Sequence, residues 1–218
     1  ETIASHIYLD HSATTPVDPR VIEAMSSYWR DTFANSESSH TLGRSAAAHL
    51  EEARQTVAEL LGCRPSEVVF TGSGTEADNL ALRGMAWAAR QAHRGNRTVD
   101  QLQDLFGFEV TRVPVDAHGM VDPDAVAAAI RPNTILVSVM MANNEVGTVQ
   151  HMVKIGRICH ERDVLFHSDA VQAAGRLPLE LQDMHVDLLA LSAHKFYGPK
   201  GVGLLYLRRG TLFIPAIT

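Results

Sequence analysis

The stretch DLLALSAHKFYGPKG, residues 187–201, decides the fold of this chain. Its apolar run, Leu188–Leu191, is typical of a strand buried in a parallel sheet. Lys195 follows that run directly, and the Tyr-Gly-Pro-Lys-Gly segment after it predicts a turn that reverses the backbone. An amine at the end of a buried strand loses hydration, which lowers its pKa, and a neutral amine is a nucleophile suited to Schiff-base formation. For a lone lysine the ordinary interpretation is a solvated strand end.

A second strand upstream repeats the pattern. The segment VLFHSDAVQ, residues 164–172, is a short apolar run with Asp169 at its end and Gln172 three residues later. If the two strands are parallel neighbours, Asp169, Gln172 and Lys195 share one carboxyl edge, where open α/β sheets bind ligands. A carboxylate against a pyridine nitrogen keeps that nitrogen protonated, and an amide can bind a ring phenolate. The pattern is therefore suited to Schiff-base formation, with a carbonyl substrate or with pyridoxal phosphate.

A third segment predicts a phosphate site. A strand at Glu67–Phe70 is followed by TGSGT, residues 71–75, and then by a helix. Glycines let the backbone approach a phosphate, and the N–H groups at a helix start are donors. Gly72-x-Gly74-x-x-Ala77 also satisfies the dinucleotide fingerprint, but the acidic residue required about 20 residues later is not convincingly present. A single phosphate fits this segment better than a dinucleotide.

Composition sets limits on the function. The chain has 218 residues, 45% of them hydrophobic, and a net charge of −6, which is typical of a soluble globular protein. It carries no basic footprint for nucleic acid and no apolar run of membrane-spanning length. The N-terminus lacks the pattern of a signal peptide, so we expect a cytoplasmic protein. Cys63 and Cys159 form neither a disulfide framework nor a metal pattern, so we predict no metal site.

The remaining pattern is an alternation of strands and helices, which indicates an α/β domain. Asp18-Pro19 opens a helix, and a second helix ends at Gly62. Apolar stripes are expected to form the buried faces of these two helices: Val21, Ile22, Met25, Tyr28 and Trp29 on the first, and Leu50, Ala53, Val57, Leu60 and Leu61 on the second. Further predicted elements are strands at Ile7–Leu9, Glu109–Pro114 and Thr134–Met140, the last buried on both faces, and an amphipathic helix at Val99–Phe106.

These motifs together resemble a known family. Asp169-Ala-Val-Gln172 and residues 192–201 are similar to the cofactor site of the pyridoxal-phosphate-dependent cysteine desulfurases, in the class V aminotransferase superfamily. YLDHSATTP at residues 8–16 and GVGLLY at 201–206 extend the resemblance over nearly the whole chain. It implies an aspartate-aminotransferase-like large domain (fold type I of the pyridoxal phosphate enzymes), with a mainly parallel, seven-stranded-type sheet flanked by helices. Residues 16–218 would form this domain, and residues 1–15 an arm over the active site.

The resemblance also implies roles for individual residues. Lys195 would be the catalytic residue, holding pyridoxal 5'-phosphate covalently and later acting as the base at the substrate Cα. Asp169 would face the ring nitrogen. The other implied cofactor contacts are Asn144 and Gln172 at the phenolate, and Gly74, Thr75, Ser192 and His194 at the phosphate.

Two departures from the family pattern stand out. No residue matches the family's ring-stacking histidine; we favour a loop closed over near Arg97-Thr98 over a true deletion, because the motifs on both sides are intact. The family's C-terminal small domain, with the cysteine that forms the persulfide, is also absent from these residues. Neither Cys63 nor Cys159 lies in a matching context, so we expect no desulfurase turnover from these residues alone.

The implied activity is removal of sulfur from L-cysteine, giving L-alanine and an enzyme persulfide for iron–sulfur cluster assembly or thio-modification. The resemblance implies a homodimer and a sulfur-acceptor protein as partners, and neither nucleic acid nor a membrane. Two alternatives remain open: selenocysteine lyase or another class V lyase or aminotransferase, and a non-catalytic scaffold or nucleotide-binding module.

Overall fold

The structure, a computed structural model, describes residues 7–93 and 107–215, except for the side chains of residues 90–93. A single five-stranded sheet organises this part of the chain. Its strands are β1 (Val68–Thr71), β2 (Leu136–Ser138), β3 (Leu165–Asp169), β4 (Leu188–Ser192) and β5 (Gly203–Leu207), in the order β1-β5-β4-β3-β2. β3 is parallel to β2 and β4, whereas β5 is antiparallel to β4 and β1. Four strands thus share one direction, which confirms the predicted mainly parallel α/β fold.

Five α-helices within the described residues connect and cover the strands. They are α1 (Pro19–Ser26), α2 (Thr41–Leu61), α3 (Gly74–His93), α4 (Pro123–Ala129) and α5 (Met152–Glu161), with 3₁₀ turns at Ser27–Trp29, Pro65–Glu67 and Ala193–Lys195. The predicted ends of the first two helices are confirmed. The Asp18 side chain accepts a hydrogen bond from Arg20 N at the start of α1, and Gly62 ends α2 in the left-handed region at φ 64°.

Helices pack on both faces of the sheet. On one face, Leu188 and Ala190 of β4 and Leu205 of β5 pack against α3, which contributes Ala77, Ala81 and Met85. The other face carries a larger cluster, in which Phe166, Leu189 and Tyr206 pack with Ile155 of α5 and Leu61 of α2. All five residues of β4 are buried, as the sequence predicts for the central strand.

Three strand predictions are wrong. Residues 7–9 are extended without a strand partner, and residues 109–114 form no strand; only an isolated bridge joins Val115 to Val121. β2 is shorter than predicted, and its residues are half-buried or exposed. One reason is common to all three, because a strand requires a hydrogen-bonded neighbour. β2 has such a neighbour on one side only, since it is the last strand of the described sheet after β3.

The predicted buried stripes of α1 and α2 are also wrong in part. α1 has no buried residue, and Trp29, in the turn after it, is 75% exposed. On α2 the side chains of Leu50 and Leu60 are exposed, while Ala58 and Leu61 are buried against the sheet. Helical periodicity shows that a face is apolar but not what covers it.

The predicted helix Val99–Phe106 lies outside the described residues. So does the predicted closed-over loop near Arg97-Thr98. Within residues 7–93 and 107–215, no helix has the length and apolar character needed to cross a membrane.

Gly156 lets α5 lie directly on the segment before β4. A Cβ at this position would overlap the carbonyl oxygen of Met184 and would come within 3.2 Å of the Phe166 ring. We expect Gly156→Ala to lower the free energy of unfolding by about 1–3 kcal/mol, because the helix must move away from a packed core. Denaturant unfolding checks this, with Lys154→Ala on the exposed side of α5 as control. Equal stability of the two variants would contradict the packing described.

Candidate active site

The carboxyl ends of β3 and β4 bring the predicted residues together. The two strands are parallel neighbours, with Asp169 opposite Ala190. Lys195 lies in the 3₁₀ turn that follows β4, and Gln172 lies in the turns that follow β3. The predicted placement of Asp169, Gln172 and Lys195 at one edge of the sheet is therefore confirmed.

The segment near the N-terminus closes over this edge. Gln172 Nε2 donates a hydrogen bond of 2.8 Å to the carbonyl oxygen of Ser12, and Lys195 Nζ donates to the same oxygen. The amine and the amide therefore converge on one point. Residues 10–15 lie over the site through these contacts, while the division into an arm and a large domain stays a prediction.

The electrostatics of the site suit an amine and a carboxylate that act together. Burial lowers the pKa of the Lys195 amine, Arg176 lowers it further, and Asp169 and Asp10 oppose the shift. Burial is also the largest cause that raises the pKa of Asp169; Asp78 adds to the increase. Since desolvation disfavours charge on both groups, each is closer to its neutral form than it would be in water.

The start of α3 lies against the ends of β3 and β4. A Cβ on Gly74 would come within 2.7 Å of Val171 Cγ2 and 3.1 Å of Ser192 Cβ, so only glycine allows the helix to begin this close. Ser192 is buried. In the first turn of α3, the N–H of Glu76 donates to Ser73 Oγ at 3.0 Å, and those of Gly74 and Thr75 have no partner within the helix. These groups form a cradle suited to a phosphate.

The other predicted phosphate and phenolate residues are less closely placed. Thr75 is exposed in the first turn of α3. His194 is half-buried, and its Nδ1 lies 3.0 Å from Thr14 Oγ1. Asn144 is exposed in the turn after β2, where the neighbouring Asn143 caps the backbone N–H groups of residues 145 and 146. The cofactor contacts assigned to Thr75, His194 and Asn144 stay predictions.

Buried Thr15 holds the turn that carries Lys195. Its Oγ1 donates to the carbonyl of His194 at 3.0 Å and accepts from Tyr197 N at 2.7 Å, so it ties the residues on both sides of the lysine. Tyr197 has φ 66°, an uncommon conformation for a tyrosine that surrounding contacts must maintain. Thr15 therefore supports the position of the amine.

We expect Thr15→Val to lower the free energy of unfolding by about 1–3 kcal/mol, because valine keeps the shape but leaves the N–H of Tyr197 unpaired. Thermal or denaturant unfolding measures the change. Thr56→Val is the control, since this exposed hydroxyl only donates to Glu52 O within α2, and about 0.5 kcal/mol or less is expected there. An equal effect of both variants would rule out a special role for Thr15.

Two contributors escaped the sequence analysis. Arg176 donates to Gln172 Oε1 at 3.0 Å and to Lys195 O at 3.1 Å, and Ser12 supplies the shared carbonyl oxygen. Ser12 acts through its backbone, which side-chain patterns do not reveal. Arg176 had one available signal, its spacing of four residues from Gln172 in a turn that follows a strand.

The two thiols lie outside this arrangement. Both cysteines are free, and burial raises the pKa of Cys63 to about 11 and that of Cys159 to about 12. Neither is therefore prepared as a thiolate nucleophile. Among the described residues, no group of three or more His, Cys, Asp or Glu side chains is arranged to hold a metal ion.

A lysine and an aspartate at the carboxyl edge of a mainly parallel sheet, facing a helix start, define a class of cofactor-dependent α/β enzymes. The family model described as Aminotransferase class-V matches residues 7–213. The chain therefore belongs to the aminotransferase class-V family, whose members depend on pyridoxal phosphate.

Individual relatives agree with this assignment. The chain is 42% identical to a cysteine desulfurase IscS of Dictyoglomus turgidum, over 97% of this chain and 56% of that protein. The corresponding values for the IscS of Methylococcus capsulatus are 48%, 93% and 53%. A solved NifS-like protein superimposes with a TM-score of 0.90 at 39% identity, covering 97% of this chain and 61% of the other. The chain thus spans about half the length of the curated relatives it matches.

Proposed function

We propose that this chain is the cofactor-binding part of a pyridoxal-phosphate-dependent cysteine desulfurase. One observation carries the proposal: the Lys195 amine and the Gln172 amide converge on one point at the sheet edge where Asp169 ends β3. Relatives named as cysteine desulfurases support it, and so does the structure of SspA in complex with cysteine, with a TM-score of 0.91 at 38% identity.

The described residues fit pyridoxal phosphate. Its aldehyde requires a partly desolvated amine, which Lys195 provides, and its ring nitrogen requires an acid, which Asp169 provides. Its phosphate requires backbone N–H donors, and Gly74 lets the start of α3, which offers such donors, pack against Ser192. The donor set therefore matches the three polar parts of this cofactor.

When bound, pyridoxal phosphate supplies an aldehyde for covalent attachment and a ring that withdraws electrons from the substrate Cα. Lys195 would hold the aldehyde through its neutral Nζ, and the same amine, once freed by L-cysteine, would be the base for the proton on Cα. The Asp169 carboxylate would hold a proton at the ring nitrogen. Burial favours the neutral amine that Lys195 needs, whereas the positive charge of a protonated ring would favour the Asp169 carboxylate against the raised pKa that burial gives it.

The remaining residues orient the cofactor. Gln172 and Asn144 would donate to the phenolate oxygen, and Gly74 and Thr75 at the start of α3 would hold the phosphate together with Ser192 and His194. Arg176 keeps the Gln172 side chain in place through its hydrogen bond to Oε1. Neither Cys63 nor Cys159 is assigned as the thiolate that accepts the substrate sulfur, because burial raises the pKa of both thiols.

We also propose a homodimer that delivers its persulfide to an acceptor protein. Exposed apolar side chains support the dimer, since α1 and the turns near it present Ile22, Trp29 and Phe33 to solvent, and large apolar patches mark interaction sites. Light scattering of the complete enzyme tests the oligomeric state, and a monomer at working concentration would contradict the dimer. Cytoplasmic location and the acceptor's identity stay predictions.

The complete enzyme, with the rest of its chain, tests the function directly. We expect pyridoxal phosphate to remain bound through gel filtration, and L-cysteine to yield alanine and, with a reductant, sulfide in equal amounts. A preference for selenocysteine over cysteine would move the assignment to selenocysteine lyase. Protein that binds no pyridoxal phosphate would favour a scaffold or a nucleotide-binding module and would overturn the proposal.

A further inference from the structure

Three polar side chains meet on the α3-facing side of the sheet, next to Asp169: buried His167, half-buried Asp78 and exposed Ser138. His167 of β3 is 2% exposed; its Nδ1 lies 2.9 Å from Ser138 Oγ on β2, and its Nε2 lies 3.3 Å from Asp78 Oδ1 on α3. Ser138 is the register partner of His167, so β2 presents its hydroxyl directly to the ring. Three separate elements therefore meet at one imidazole.

The contact between Asp78 and His167 joins two polar atoms that are buried from solvent. Asp78 Oδ1 and His167 Nε2 are both inaccessible to solvent and have no well-aligned hydrogen bond, so each depends on the other. A buried polar pair of this kind rarely adds stability over apolar residues of the same volume. Its presence calls for another explanation.

The chemistry of the three groups fixes their roles. A carboxylate can only accept a hydrogen bond, so Nε2 carries a hydrogen directed at Asp78. On the other side of the ring, Nδ1 lies 2.9 Å from Ser138 Oγ, so the hydroxyl pairs with that nitrogen. The imidazole thus has a defined orientation, set from both sides.

The location of the pair connects two parts of the active site. Asp78 lies one helical turn after Thr75, at the end of α3 that is proposed to hold the phosphate. His167 lies two residues before Asp169 on β3, so both side chains project from the same face of the sheet. The contact therefore ties the phosphate cradle to the strand that carries the ring-facing acid.

Charges around Asp169 point the same way. Burial raises the pKa of the Asp169 carboxyl most, and Asp78 raises it further. The opposing influences are the hydrogen bond from Val171 N, then His167 and Lys195. Asp78 and His167 thus act on Asp169 with opposite signs, from α3 and from β3.

We propose that Asp78 and His167 are positioning residues for Asp169: their buried contact fixes the end of β3 against the first turns of α3, so that the carboxylate and the phosphate cradle keep one separation. The inference rests on the proposed function, because it assigns this separation to pyridoxal phosphate. Both residues act through Asp169 and α3. A purely structural role for His167 would explain its burial. It would not explain why Nε2 lies beside a carboxylate without a well-aligned hydrogen bond.

The first experiment measures cofactor affinity in the complete enzyme, by titrating cofactor-free protein with pyridoxal phosphate and following visible absorbance. Asp78→Ala and His167→Leu each remove one side of the contact and are expected to raise the dissociation constant about tenfold or more, as loss of outer partners does at metal sites. His167→Gln should recover part of the affinity, because its amide can still donate to Asp78. Asp124→Asn, an exposed aspartate at the start of α4, is the matched control and should bind as the unaltered enzyme does.

Thermal unfolding of the cofactor-free forms separates positioning from folding. If His167→Leu does not fold, Asp78→Ala, on the less buried side of the contact, decides. Dissociation constants equal to that of Asp124→Asn would overturn the proposal. A lower melting temperature with unchanged cofactor affinity would also overturn the proposal, because the contact of Asp78 with His167 would then serve stability alone.

The second experiment needs no cofactor and follows unfolding against pH. The folded pKa of Asp169 is raised, so its contribution to stability is present below its unfolded pKa and is lost as pH rises through its folded pKa. Asp78→Asn removes one cause of the shift, and the loss should become smaller. This difference should be smaller in an Asp169→Asn background, where Asp78→Asn changes only the contact of Asp78 with His167.

An unchanged pH dependence in Asp78→Asn would contradict the proposed coupling. Failure of the proposed function can be distinguished from failure of the coupling between Asp78 and Asp169. If the unaltered enzyme takes up no pyridoxal phosphate, the proposed function fails, while the pH experiment still decides whether Asp78 acts on Asp169.

Discussion

Replacing Lys195 with alanine in the complete enzyme is expected to abolish turnover of L-cysteine. Loss of the base alone should lower kcat by about 10²–10⁴-fold. The variant also loses the covalent bond to the cofactor, so the total effect should be larger. Steady-state production of alanine measures it. The physical reason is the position of the amine, which burial and Arg176 together keep closer to its neutral form.

Lys200→Ala is the matched control for this experiment. Lys200 lies in the same turn but is exposed, and we expect activity close to that of the unaltered enzyme. A Lys195→Ala variant that turns over cysteine at a rate near that of Lys200→Ala would show that another group performs the chemistry.

Asp169→Asn is expected to have the second largest effect. Asparagine preserves the shape and can still accept the 2.8 Å hydrogen bond from Val171 N, so the fold should survive. It cannot carry the negative charge that holds a proton at the ring nitrogen. We expect kcat to fall by about 10²–10³-fold, the usual cost of removing one preorganised electrostatic partner.

The control for this substitution is Asp183→Asn, at an exposed aspartate in the segment before β4. Circular dichroism should show equal folding of both variants, and only Asp169→Asn should lose activity. Full activity in Asp169→Asn would remove Asp169 from the mechanism and leave the ring nitrogen without an assigned partner.

The centre of the fold could be predicted from the sequence because its strands are buried on both faces. β4 reads as a continuous apolar run, and Lys195 follows it directly. The parallel pairing of β3 with β4 then determined which side chains share an edge. Motifs at strand ends were sufficient to bring Asp169, Gln172 and Lys195 together.

The periphery could not be predicted in the same way. Residues 109–114 have the composition of a strand, but strand formation depends on a hydrogen-bonded neighbour that composition does not specify. Trp29 and Leu60 lie on apolar stripes and are nevertheless exposed, because periodicity does not say what covers a helix. These errors share one cause, the dependence of local structure on distant partners.

Within the site, two kinds of contact were invisible in the sequence. Ser12 contributes a backbone carbonyl oxygen, which any residue type could supply. Asp78 and His167 are 89 positions apart in the numbering and meet only because α3 packs on β3. Spacing along the chain therefore gives no sign of their contact.

The central claim is that the Lys195 amine forms the covalent bond to pyridoxal phosphate, and peptide mapping after borohydride reduction tests it most directly. We predict one peptide that carries the reduced cofactor on Lys195, and no labelled peptide in Lys195→Ala. A label that persists on the same peptide in the variant, or that lies on Lys200 in the unaltered enzyme, would contradict the assignment.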